Sequence, residues 1–90
     1  MLLDMSQELF EVPEVAPQIG GVYVHYKNPD KEYKVTGISL NSDSHEWYVE
    51  YVPLYEGASA TKFNRSVSLW FDRPLVEGKE VERYALVRME

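Results

Sequence analysis

From Gly20 onward the chain is broken into short runs rich in Val, Tyr, Trp and Phe, with turn-forming residues returning about every 8 to 12 positions. β-Branched and aromatic side chains suit a pleated, half-buried surface, and no long stretch keeps the spacing of an amphipathic helix. The pattern therefore predicts an all-β fold. A length of 90 residues allows one core, which excludes a doubly wound nucleotide-binding fold and a (β/α)₈ barrel. Hydrophobic residues at 44% and aromatic residues at 13% describe a chain that folds rather than a disordered one. Cysteine is absent, so disulfides, thiolate nucleophiles, thiolate zinc sites and iron–sulfur clusters are excluded together.

Alternation places the first strand over Val22–Tyr26 and assigns Asn28-Pro29-Asp30-Lys31 to the turn that closes it. The second strand is predicted over Glu32–Leu40. Strict alternation puts Tyr33 and Val35 on one face and Ile38 and Leu40 on the other, and Gly37, at the change of phase, marks a bulge. A third strand over Glu46–Val52 sets Trp47, Val49 and Tyr51 on one side, and Pro53 ends or bends it. Glu56 to Thr61 read as a surface loop, and a fourth extended piece lies near Lys62–Val67. The segment Ser66–Asp72 either prolongs that strand or forms a helical turn capped by a serine. Glu77-Gly78-Lys79 is a turn, and Val81–Val87 the final strand. About five antiparallel strands with connections this short suit a small, partly open barrel of the Src-homology-3-like kind.

Residues 1–19 read as an acidic, extended leader ahead of a β-barrel domain over 20–90. Asp4, Glu8, Glu11 and Glu14 meet no basic residue there, and Pro13 and Pro17 favour extended backbone before them. Two readings stand for this leader: a frayed terminus, or a segment that docks through Leu9 and Phe10. The rest of the chain carries all 9 basic side chains against 11 of the 15 acidic ones, so the net charge of −6 falls mostly on the leader. The body is nearly neutral. That balance disfavours a nucleic-acid partner without removing it, because a local basic patch survives it. A basic n-region followed by an apolar stretch is missing at the start, and no run approaches the roughly 18 apolar residues of a membrane span. The expectation is a cytoplasmic protein with no membrane association.

The chemical motifs are sparse. His25, between Val24 and Tyr26, is the side chain best suited to proton transfer near neutral pH, and a hydrogen-bonded core histidine is the competing reading. His45 with Asp43 and Glu46 lacks a metal-ligand spacing, and Glu46 and Glu50 have no cleft to hold a sugar between them. A nucleophile elbow and a phosphate-binding glycine loop are both missing from the sequence. No catalytic residue, metal or cofactor is expected.

Four segments together resemble a family: Gly21-Val22-Tyr23-Val24-His25-Tyr26-Lys27; Tyr33-Lys34-Val35; Val49-Glu50-Tyr51-Val52-Pro53-Leu54-Tyr55; and Gly78-Lys79-Glu80-Val81-Glu82-Arg83-Tyr84. In order and spacing they are similar to the small bacterial domain-of-unknown-function family sixteen fifty-three, over roughly residues 20–87. The resemblance implies a small Src-homology-3-like barrel with no established activity. It also implies that Tyr23 and His25 face inward, although alternation alone would bury Val22 and Val24. The positions that match its motifs are Tyr23, His25, Tyr26, Lys27, Tyr33, Tyr51, Tyr55, Arg65, Arg83 and, with Tyr for Phe, Tyr84; it supplies a role for none of them. Ser66 stands where its aromatic-x-Arg-Pro motif has proline.

Seven Tyr and two Trp exceed what a core this small can hide, and rings with polar tips make rigid contact surfaces. Tyr26, Tyr48, Tyr55 and Trp70, joined by Lys27, Arg65 and Arg83, are the candidate ligand-binding residues of an exposed aromatic and cationic groove. Cross-strand packing of the same rings is the alternative. The expected function is a non-catalytic binding module for a peptide or protein partner. A nucleic-acid or nucleotide binder is the second reading, with rings stacking on bases.

Overall fold

The computed structural model describes residues 13–90; the expected docking through Leu9 and Phe10 lies outside the described residues. Among the described residues, seven strands and one helical turn follow in order: β1 (Gly21–His25), β2 (Asn28–Leu40), β3 (Trp47–Pro53), β4 (Phe63–Ser66), α1 (Val67–Trp70), β5 (Leu75–Val76), β6 (Lys79–Glu80) and β7 (Tyr84–Met89). Five of them form an antiparallel sheet in the order β4-β3-β2-β1-β7, and β5 and β6 pair as a separate hairpin. The fold is all-β and the sheet does not close on itself.

The first turn is tighter than the sequence suggested. His25 pairs with Asn28, so the loop is Tyr26-Lys27 and Asn28-Pro29-Asp30-Lys31 opens β2. Pro29 is tolerated there because the start of a strand can do without one ladder donor. The Tyr26 ring stacks on His25 at 4.8 Å, and the Lys27 backbone N–H donates to His25 Nδ1 at 3.1 Å, which ties the loop to the strand end.

Strand β2 serves two neighbours. Its first half pairs with β1 and its second with β3, and Tyr33 faces Tyr23 on one side and Pro53 on the other. The register slips between Val35 and Gly37, the bulge expected at Gly37. One inserted residue returns Ile38 to the side of Tyr33 and Val35, so Ile38 packs against the same core, where strict alternation would have turned it away.

After β4 the chain turns inward. Ser66 caps α1 by accepting from the Leu69 N–H at 3.3 Å, which settles the open choice at Ser66–Asp72 in favour of a helical turn. Rotation by a helical step buries Trp70 to 1% exposure and leaves Leu69 at 50% and Phe71 at 40%. The β5–β6 hairpin turns on Glu77 and Gly78, both at positive φ (52° and 82°), the backbone that a two-residue turn needs to follow strand twist.

The core cluster is Tyr23, Val35, Val49, Tyr51, Val67, Trp70 and Tyr84, with Tyr33, Ile38, Trp47 and Phe63 packed against it. Tyr23 therefore points inward, as the family pattern implies, while Val22 is also fully buried and His25 only partly so. At Gly21 the sheet and the approaching chain meet closely: a Cβ there would lie 2.9 Å from Leu86 Cδ1, 2.9 Å from the Tyr23 ring and 3.0 Å from the Gln18 carbonyl oxygen. Because one of these neighbours is backbone, Gly21→Ala is expected to destabilise the domain by about 1–3 kcal/mol. A lowered urea midpoint with an unchanged slope is the readout; an unchanged midpoint would contradict this packing.

Candidate functional site

Antiparallel pairing brings five strands to one cavity of about 260 Å³, lined by His25 from β1, Asn28 and Tyr33 from β2, Tyr51 from β3, Phe63 and Arg65 from β4, and Tyr84 from β7. Tyr51 and Phe63 are direct cross-strand partners and stack at 5.7 Å; the Tyr33 ring meets both edge-on, at 5.3 and 6.1 Å. Tyr51 and Tyr84 are core residues whose far edge becomes the cavity wall. The rings are held by packing before any ligand arrives, which limits the entropy lost on binding.

Hydroxyls lie along this wall in two pairs. Tyr33 and Tyr55 are 2.7 Å apart, and Tyr51 and Tyr84 are 3.4 Å apart. Burial, then the bond to Tyr55, pushes the Tyr33 phenol up to about 12; burial, then the bond to Tyr51, raises Tyr84 further. Both remain protonated at neutral pH, so each carries a proton it can donate.

Arg65 supplies the charge. Its guanidinium lies 5.6 Å from the centre of the Tyr84 ring. Burial works against its charge, but hydrogen bonding to Tyr51 and the neighbouring phenols outweighs this and holds its pKa above the ordinary arginine value. None of the cavity-lining residues is a carboxylate. Among the described residues, Lys34, Lys62, Arg73, Arg83 and Arg88 form ion pairs, whereas Arg65, Lys27, Lys31 and Lys79 form none. Of those four, only Arg65 is partly buried.

His25 borders the same cavity, its ring edge-on to Tyr84 at 5.0 Å. Its Nδ1 accepts from the Lys27 N–H, which assigns the proton of the neutral ring to Nε2. Burial first, and then Arg65, Arg83 and Lys27, lower its pKa below 6.5. The neutral ring is thus favoured in the folded state. On acidification through about pH 6.5 the unfolded chain takes up this proton before the folded one, so His25 erodes stability as pH falls. His25→Gln is expected to flatten the pH dependence of the urea midpoint in this window. Loss of the depressed carboxylates Glu32, Glu50 and Asp72 follows only below their ordinary value of 4.5 or less. An unaltered slope in the variant between neutrality and this lower range would contradict the assignment.

The structure divides the seven expected groove residues. Arg65 lines the cavity, and Tyr55 stands behind its wall through Tyr33. Tyr26, Lys27 and Arg83 form a neighbouring group, with Lys27 Nζ 5.8 Å and the Arg83 guanidinium 5.9 Å from the Tyr26 ring. Tyr48 alternates with Val49 and so stands on the opposite face of β3 from Tyr51. Trp70 is not an exposed groove ring: it is buried in the core, stacked on Tyr84 at 3.8 Å. Trp70 and Arg83 line a second cavity of about 190 Å³, where Arg83 is bound to Asp72 at 2.8 Å, so its charge is already balanced. His25 and Arg83 thus line different cavities. Sequence reasoning about a groove missed Tyr33, Tyr51, Phe63 and Tyr84; the signal available for three of them was their match to the family motifs.

Among the described residues no cluster of three or more His, Asp or Glu could hold a metal ion, and no helix is long and apolar enough to cross a membrane. Fold and site together define a small all-β domain whose open antiparallel sheet carries a pocket of tyrosines and one unpaired arginine. A protein-family model described as a protein of unknown function, DUF1653, matches residues 21–86, and the chain belongs to that family. The chain is also similar to a crystal structure of a protein of the same family from Bordetella bronchiseptica, with 27% identity and a TM-score of 0.68. That match covers 79% of this chain and 88% of the other. No curated protein matches the chain.

Proposed function

We propose that this chain is a non-catalytic binding module of the bacterial cytoplasm that holds a short peptide segment of a protein partner in the tyrosine and Arg65 cavity. The observation that carries this reading is the make-up of the wall: rigid rings from four strands, with polar tips and one cation, form a concavity sized for a side chain. Its volume of about 260 Å³ lies below the usual range of pockets for drug-sized ligands, about 300–1,000 Å³. The only imidazole on the wall has Nδ1 occupied by the Lys27 N–H, and Ser, Thr and carboxylate side chains are absent from the lining, so a nucleophile and its base do not meet there.

Nucleic acid is the less supported ligand. A phosphate track calls for several free cations, and five of the nine Lys and Arg are already in ion pairs. The test is selection from a random peptide library followed by mapping of a selected peptide on the ¹H–¹⁵N spectrum. The expected result is shifts concentrated at His25, Tyr33, Tyr51, Phe63 and Arg65. Shifts confined to the opposite face, at Tyr48 and Glu50, would overturn the assignment of the site.

A further inference from the structure

The hydrogen-bonding capacity of this cavity is one-sided. A pair of hydroxyls holds two protons, and a bond between them uses one. The Tyr51–Tyr84 and Tyr33–Tyr55 pairs each keep a second proton, for which no acceptor is found among the described residues. The His25 tautomer places an N–H on Nε2, and Asn28 adds a side-chain amide. Arg65 brings a planar fork of five N–H donors that matches an oxyanion; Tyr51 takes part of this capacity, and no carboxylate lines the cavity to receive the rest. Donors outnumber acceptors around a partly buried positive charge.

We propose that the group received by this cavity is a single carboxylate of the peptide partner, bound by the Arg65 guanidinium with the tyrosine hydroxyls as further donors and Phe63 and Tyr33 flanking it. The proposal rests on the peptide-binding reading above and adds the chemistry of the anchor. A carboxylate suits the site better than a polyanion, because one unpaired, partly buried cation balances one charge. Lys27, Lys31 and Lys79, the other unpaired cations, are exposed and lie outside the lining. Two sources offer the same chemistry: the end of a chain, and an aspartate or glutamate side chain.

The experiment is a ¹H–¹⁵N titration of the full chain with five probes: N-acetyl-triglycine with a free carboxyl end, the same peptide as its amide, a Gly-Glu-Gly peptide blocked at both ends, acetate, and inorganic phosphate. The free-end peptide, the glutamate peptide, or both should shift His25, Phe63 and Arg65, and the amide should bind about tenfold or more weakly than the better of them. Which of the two binds more tightly identifies the source. Equal binding of the amide overturns the carboxylate anchor and leaves the peptide-binding module standing. Phosphate that shifts these residues at lower concentration than either carboxylate peptide overturns the carboxylate and favours a phosphorylated ligand. Shifts at the cavity with acetate alone, when no peptide binds, uphold the anion site and overturn the module. Silence from every probe overturns the anchor. These outcomes are read on the unaltered protein, so none depends on a variant that folds.

Discussion

Trp70→Ala should cost about 3–5 kcal/mol of stability, the usual range for removing a buried aromatic side chain. Few changes elsewhere in the described residues should match it. The indole is 1% exposed, lies parallel to Tyr84 at 3.8 Å and 3°, and meets Tyr23 at 5.3 Å and Tyr51 at 5.1 Å edge-on. It closes the core from a single helical turn whose other buried residue, Val67, is already committed to the same cluster. A domain of 90 residues has roughly 5–13 kcal/mol to lose, so the variant should be partly unfolded at modest urea concentration. Trp70→Phe should cost far less, because the indole N–H is buried without a hydrogen-bond partner among the described residues and its removal relieves that penalty. Equilibrium urea denaturation of the three proteins is the measurement. An alanine variant as stable as the parent would return Trp70 to the surface and break the account of the core.

Arg65→Gln separates folding from binding. Arg65 has no ion pair among the described residues, so its loss leaves no buried carboxylate exposed to imbalance, and the change in stability should stay within about 1 kcal/mol. Affinity for a carboxylate-bearing peptide should nevertheless fall about tenfold or more, since a charge-assisted bond in a partly buried site contributes about 1.5–3 kcal/mol. Arg65→Lys should keep part of the affinity, because the charge remains while the planar fork is lost. Calorimetry on the three forms reads the difference. If the glutamine variant binds as the parent does, the anchor lies elsewhere; if it unfolds, Arg65 is a structural residue and the pocket loses its role.

The strands were legible because alternation with a period of two is a local property. Trp47, Val49 and Tyr51 fall on one side of β3 as their spacing requires, and Gly37 marks the bulge that brings Ile38 back into phase. What escaped depends on partners distant in sequence. Asn28-Pro29-Asp30-Lys31 has turn chemistry, yet the pairing of His25 with Asn28 moves the loop to Tyr26-Lys27. Leu69-Trp70-Phe71 is apolar throughout, so its sequence carries no information about which ring is inside; the Ser66 cap and one helical step decide it. The two-residue strands β5 and β6 are too short for alternation to reveal.

The cavity was the least legible feature. Its wall is drawn from positions as far apart as His25 and Tyr84, which only the strand order β4-β3-β2-β1-β7 brings together. Exposure was the criterion for choosing rings from the sequence, and it favoured Tyr26, Tyr48, Tyr55 and Trp70, the last of which is buried. A binding wall made from the far edges of core tyrosines, Tyr51 and Tyr84, satisfies a different rule: it is rigid because it is buried on its other side. The motif matches at Tyr33, Tyr51, Arg65 and Tyr84 pointed to these positions without saying that they meet.

The most direct test of a carboxylate seated between Arg65 and His25 is the titration of the His25 ring by NMR, free and saturated with whichever blocked or free-end peptide binds. In the free protein the ring should titrate below 6.5, held there by burial and by the cations around it. A bound carboxylate near the imidazole favours its charged form, so the saturated protein should titrate at higher pH. Superimposable curves, with the peptide demonstrably bound, would place the negative charge away from this cavity and contradict the account.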